Sequence, residues 1–169
     1  MDLAKQDCVA GRRTLPHQPP RIGGIGDNPA MTMGADTSPG EHIIGVDHVQ
    51  LAMPAGGEDD ARRFYAAVLA LTEVQKPAGL AGRGGCWFAS ADGTVAVHLG
   101  VEEDFRAARK AHPAFVVTDL DAVRVRLADA GAEIVEDDSI DVGRFYTADP
   151  FGNRIEFIAE ADRGFTRER

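Results

Sequence analysis

An internal repeat constrains this chain more than any other feature, because one order of elements, strand, helix and three short strands, occurs twice between residues 43 and 159. In the first half, residues 43–53 alternate as a strand, and 58–69 carry Ala61, Phe64, Tyr65, Val68 and Leu69 at helical spacing. Asp59 and Asp60 suit the positive end of that helix. Short strands are expected over 72–75, 85–89 and 94–100, separated by the glycine-rich 79–85 stretch and an Asp92-Gly93 turn. In the second half a strand over 112–118 leads, through Asp119 as N-cap, into a helix marked by Leu120, Val123, Leu127 and Ala130 and closed by Gly131. Strands follow over 132–136, 144–148 and 154–159, the last two joined by Asp149-Pro150-Phe151-Gly152-Asn153. The halves superpose at an offset of about 60 residues, His48 on His112 and His98 on Glu156. Neither unit can bury its sheet alone, so the expected fold is α+β, two strand-helix-three-strand units built around one core.

The 169 residues, 44% of them hydrophobic, suffice for one domain with a real core. Residues 1–40 hold Pro16, Pro19, Pro20, Pro29 and Pro39 among six glycines and no periodic apolar face, which predicts a disordered extension ahead of a domain over 41–169. The modules are expected over about 43–100 and about 111–160. A dinucleotide-loop reading of Gly24-Ile25-Gly26 fails, because no strand precedes it and Pro29 stands where a glycine is needed. The net charge of -9 sits wholly after residue 40 and disfavours nucleic acid and anionic membranes as partners. Cys8 and Cys86 form no paired motif, and no apolar run is long enough for a membrane span or a signal peptide, so a cytoplasmic protein is expected. Cys86 reads as a buried, inert thiol.

Strand parity then sorts side chains by face. Val49, Leu51 and Met53 oppose His48, Gln50 and Ala52; Val95, Val97 and Leu99 oppose Ala96 and His98. Pro113, Phe115 and Val117 oppose His112, Ala114 and Val116; Ile155 and Phe157 oppose Arg154, Glu156 and Ile158. Three imidazoles and a carboxylate thus fall on one polar surface, a ligand set that suits zinc, nickel, iron or manganese. A one-sided sheet showing polar groups to water is the competing reading. Arg144 and Tyr146 share a parity and are placed to reach an anionic or oxygenated substrate, or else to form a solvated rim. Trp87 and Phe88 take opposite faces, one for the cup and one for the core.

Val46-Asp47-His48-Val49-Gln50-Leu51, His98-Leu99-Gly100, Lys110-Ala111-His112-Pro113 and Asp149-Pro150-Phe151-Gly152-Asn153-Arg154-Ile155-Glu156-Phe157 together resemble the vicinal-oxygen-chelate superfamily. That superfamily includes glyoxalase I, extradiol dioxygenases, and the fosfomycin and bleomycin resistance proteins. The resemblance implies paired βαβββ modules that curl into a mixed-sheet cup around a divalent metal held by His48, His98, His112 and Glu156. Glu156 and Tyr146 are the expected catalytic groups and Arg144, Gln50 and Trp87 the expected substrate contacts; open sheet edges, and the pairing common among proteins of this resemblance, lead to an expected homodimer. The implied activity is that of a metal-dependent lyase, isomerase or dioxygenase on a small oxygen-rich substrate; the alternative is a non-catalytic binder of the bleomycin-resistance type. Glyoxalase I usually has a carboxylate where this chain has His98, which places its particular reaction in doubt.

Overall fold

The computed structural model describes residues 42–164. The tail expected to be disordered, with Gly24-Ile25-Gly26 and Cys8, lies outside the described residues. The first module is β1 (Val49–Met53), α1 (Glu58–Ala61), β2 (Thr72–Val74), β3 (Cys86–Ala89) and β4 (Ala96–Val101). The second is β5 (Ala114–Val117), α2 (Leu120–Asp129), β6 (Val135–Glu136), β7 (Arg144–Ala148) and β8 (Arg154–Ala159). Each module makes its own four-stranded mixed sheet, ordered β1-β4-β3-β2 and β5-β8-β7-β6. The first strand of each runs parallel to the last, and the remaining pairs are antiparallel. Two βαβββ modules are therefore present, with sheets that do not close on one another. No helix among the described residues is long and apolar enough to cross a membrane.

Of three local departures, two have plain physical causes. The strand expected from residue 43 begins at Val49. Its neighbour β4 begins only at Ala96, so the chain upstream has no backbone to pair with, and Ile43, Ile44 and Val46 stay exposed. The helix expected over 58–69 starts as α1 and continues as a π-turn, Arg62–Val68. Its wider turn is seen in the Leu69 N–H donated to the Phe64 carbonyl at 2.9 Å, and it buries the consecutive rings of Phe64 and Tyr65. The strand expected over 132–136 shrinks to Val135–Glu136. Asp119 caps α2 as expected, accepting the Ala122 N–H at 2.8 Å, and Gly131 follows at φ 76°.

One core joins the modules. The inward faces supply Leu51, Met53, Phe88, Val97 and Leu99 from the first sheet and Phe145, Ile155 and Phe157 from the second, packed with Phe64, Tyr65 and Leu127 from the helical segments. Polar links seal the seam. The Tyr65 hydroxyl donates to Asp149 Oδ2 at 2.9 Å, and Asn153 Nδ2 donates to the Ala52 carbonyl at 2.8 Å. Asp149 also accepts the Phe151 and Asn153 amides, which shapes the turn between β7 and β8. Gly57 is required where Phe151 meets the start of α1, since a Cβ there would lie 2.7 Å from Phe151 Cε1. Cys86 is buried, which pushes its thiol up to about 11, consistent with an inert core residue.

Candidate functional site

Strand register sets equivalent rows across the outer faces. In the first sheet Gln50, His98, Trp87 and Val74 lie side by side; in the second the row is Ala114, Glu156, Tyr146 and Val135. His48 and His112 each stand two residues before the first member of their row. Trp87 is thus the counterpart of Tyr146, and His98 that of Glu156.

In the first module His98 is the middle ring of a stack, with Trp87 at 3.8 Å and 7° and His48 at 4.1 Å and 24°. Partial burial, and then the neighbouring His48, lower the pKa of His98 below its ordinary value. Phe88 faces the core and Trp87 the outer face, as the alternation requires. His48 Nδ1 lies 2.8 Å from Asp47 Oδ2; because a carboxylate accepts, Nδ1 carries the hydrogen, which in the neutral tautomer puts the lone pair on Nε2. Gln50 is exposed and packs over Gly100, where a Cβ would meet its Nε2 at 3.0 Å.

In the second module His112 Nδ1 lies 2.7 Å from the Lys110 carbonyl oxygen, and its Nε2 lies 3.1 Å from Glu156 Oε2. A carbonyl only accepts, so Nδ1 donates. That leaves Nε2 facing a carboxylate oxygen, and a proton or a cation is needed between the two lone pairs. Arg144 holds the other carboxylate oxygen, Oε1, at 3.1 Å, donates to the Tyr146 hydroxyl at 3.0 Å, and bonds Asp137 Oδ2 at 2.7 Å. Glu156 and Arg144 are mostly buried, their side chains 7% and 12% exposed. Burial, and then the Glu156 charge, raise the Tyr146 pKa above its ordinary value, so the phenol keeps its proton and can donate it in a hydrogen bond.

The fold brings His48 to His98 and His112 to Glu156. Within one chain, no group of three or more His, Cys, Asp or Glu side chains suited to a metal occurs among the described residues. Strand parity puts all four on one polar surface; His98 and Glu156 occupy equivalent strand positions while His48 and His112 precede their strands, and parity does not say where two faces meet. Sequence reasoning missed Asp137, which holds Arg144 from the loop after β6, and Asp47, whose signal was its position next to His48. It assigned no role to Arg154, whose guanidinium carbon sits 3.7 Å over the Tyr146 ring.

A family model described as a glyoxalase-like domain matches residues 50–158. Among solved structures, a protein from Bacillus anthracis assigned to the glyoxalase family is 47% identical, covering 69% of this chain and 95% of its own, with a TM-score of 0.65. A glyoxalase/dioxygenase from Nostoc punctiforme is 22% identical, covering 69% of this chain and 90% of its own at a TM-score of 0.55. A fosfomycin resistance protein from Listeria monocytogenes is 16% identical, covering 69% and 93% at 0.55. The last two share the fold alone. No curated protein sequence matches. The family model and the 47% identity show that the chain belongs to the glyoxalase-like domain family, within the vicinal-oxygen-chelate superfamily.

Proposed function

We propose that His112 and Glu156 of one chain and His48 of a second copy bind one divalent transition metal, and that the homodimer acts on a small oxygen-rich substrate as a metal-dependent lyase, isomerase or dioxygenase. The observation that carries this reading is the arrangement at His112. Its Nδ1–H is fixed by the Lys110 carbonyl, and its Nε2 and Glu156 Oε2 face each other at 3.1 Å. Two ligands of one cation, each about 2.1 Å from it, lie about 3.0 Å apart at an octahedral angle and about 3.4 Å apart at a tetrahedral one, a range that includes this spacing. His48 is oriented in the same way by Asp47. Since His48 belongs to the first sheet's cluster and His112 with Glu156 to the second's, a second copy supplies the third ligand.

A divalent cation there would supply Lewis acidity to two vicinal substrate oxygens. The protein's own groups provide orientation and proton control. Arg144 donates to both Glu156 and the Tyr146 oxygen and so holds the two groups side by side, with the Tyr146 hydroxyl as the proton-bearing group of the pair. Trp87 and Gln50 line the partner half of the site. His98, stacked between Trp87 and His48, serves as a fourth ligand or as the support for His48.

A non-catalytic binding role is the second reading, and the open Trp87–His98–His48 stack favours it, because stacked rings hold planar ligands without chemistry. Metal content separates the two. Protein loaded anaerobically with zinc, nickel, manganese or ferrous iron should retain metal through desalting; retention of none overturns the enzyme reading and leaves the binding role.

A further inference from the structure

The outer face of the second sheet carries a cation that the metal reading does not use. Arg144, on β7, is engaged by Asp137 and Glu156. Arg154, on β8, points to the same face two residues before Glu156, yet makes no ion pair with a carboxylate among the described residues. Its guanidinium carbon instead sits over the Tyr146 ring, 3.7 Å from the centroid. Stacking occupies the face of a guanidinium and leaves its N–H donors directed outward in the plane, the geometry that receives two oxygens of one anion side by side.

Arg154 lines a cleft of about 480 Å³ together with Arg109, Glu133, Val135, Tyr146 and Gly152. Arg109 is there because the segment between the modules docks on the β7–β8 turn. The Arg154 amide donates to the Ala108 carbonyl and the Ala108 amide donates to Asn153 Oδ1, both at 2.9 Å. Two guanidinium groups thus face one cleft whose single acidic lining residue, Glu133, forms no ion pair among the described residues. The cleft adjoins the candidate metal ligands: the Tyr146 ring that carries Arg154 stands edge-on to His112, 5.4 Å between centroids.

We propose that Arg154, with Arg109 at the rim, forms an oxyanion subsite, and that the substrate is a small molecule carrying a carboxylate or phosphoryl group beside its metal-binding oxygens. The position of those oxygens rests on the metal reading; the subsite itself does not. Arg154 clamps the anionic group against the edge of Tyr146, and Arg109 adds charge from the solvent side. The remaining substrate then extends past Tyr146 toward His112 and Glu156.

The test uses full-length protein stripped of metal, titrated calorimetrically with inorganic phosphate and, in parallel, with acetate, at low ionic strength. At least one anion should bind, and the preferred one identifies the phosphoryl or the carboxylate source. Arg154→Gln should weaken that binding about tenfold or more, Arg154→Lys should restore part of it, and Arg109→Ala should weaken it by a smaller factor. The proposal is overturned if neither anion binds the wild type, or if Arg154→Gln binds like the wild type. Should Arg154→Gln fail to fold by circular dichroism, Arg154→Lys and Arg109→Ala decide, and wild-type affinity in both overturns it. Reloading the same preparations with metal, followed by desalting, separates the two readings: wild type that binds phosphate but retains no metal after reloading leaves the subsite standing and removes the metal site.

Discussion

At His112 the partner of one nitrogen decides what the other can do. With Nδ1–H given to Lys110, the Nε2 lone pair and the Glu156 carboxylate share a position that a proton or a cation must fill. Glu156→Gln removes the charge that balances the cation, and metal affinity, measured by competition with a chelating dye, is expected to fall about 10- to 100-fold. His98→Ala should cost less, because its ring is committed to the stack with Trp87 and His48; a loss equal to that of Glu156→Gln would make His98 a full ligand. A different residue tests the seam. Tyr65→Phe withdraws a donor from buried Asp149 and should lower unfolding stability by about 1–3 kcal/mol in denaturant titration, with the metal ligands intact. Of these residues the sequence made the polar set legible, through parity and repeat equivalence. The Tyr65–Asp149 bond was not legible, since it joins positions 84 residues apart whose meeting depends on how the modules pack.

Single elements were readable where their determinants are local. The Asp119 cap and the glycine at 131 bracket α2, and the Asp149 turn fixes β7 against β8. Extended segments whose state depends on a neighbour were not: β1 stops short at Val49 for want of a partner strand, and the π-turn at Arg62–Val68 serves a contact from the other module. At the start of α1 a pH dependence follows. The Gly85 amide, donating to Glu58 Oε1 at 2.8 Å, holds the Glu58 carboxyl below its ordinary value of 4.5. The folded state therefore binds fewer protons at this group than the unfolded state. Its stabilisation is present above pH 4.5 and is lost as the pH falls through the depressed value. Urea titrations of wild type and Glu58→Gln between neutral and acid pH should show a difference that shrinks on acidification; a difference that grows would reverse the sign.

For the whole molecule, the repeat announced the architecture, but the meeting place of its two outer faces is a property of packing. One core holds both modules together while their polar faces keep separate clusters, His48 with His98 and His112 with Glu156. A metal site built from both clusters needs a second copy, so light scattering should return twice the 18.0 kDa chain mass at micromolar concentration. The most direct measurement is metal content in mixed dimers. His48→Ala and Glu156→Gln chains, carrying different affinity tags and co-expressed, are purified through both tags and loaded with metal. In the mixed dimer one site keeps His112 and Glu156 from the first variant and His48 from the second, while the other site loses both. The account predicts about one metal ion per mixed dimer and little in either parent homodimer. Mixed dimers that retain no more metal than the parents would contradict a site shared between chains.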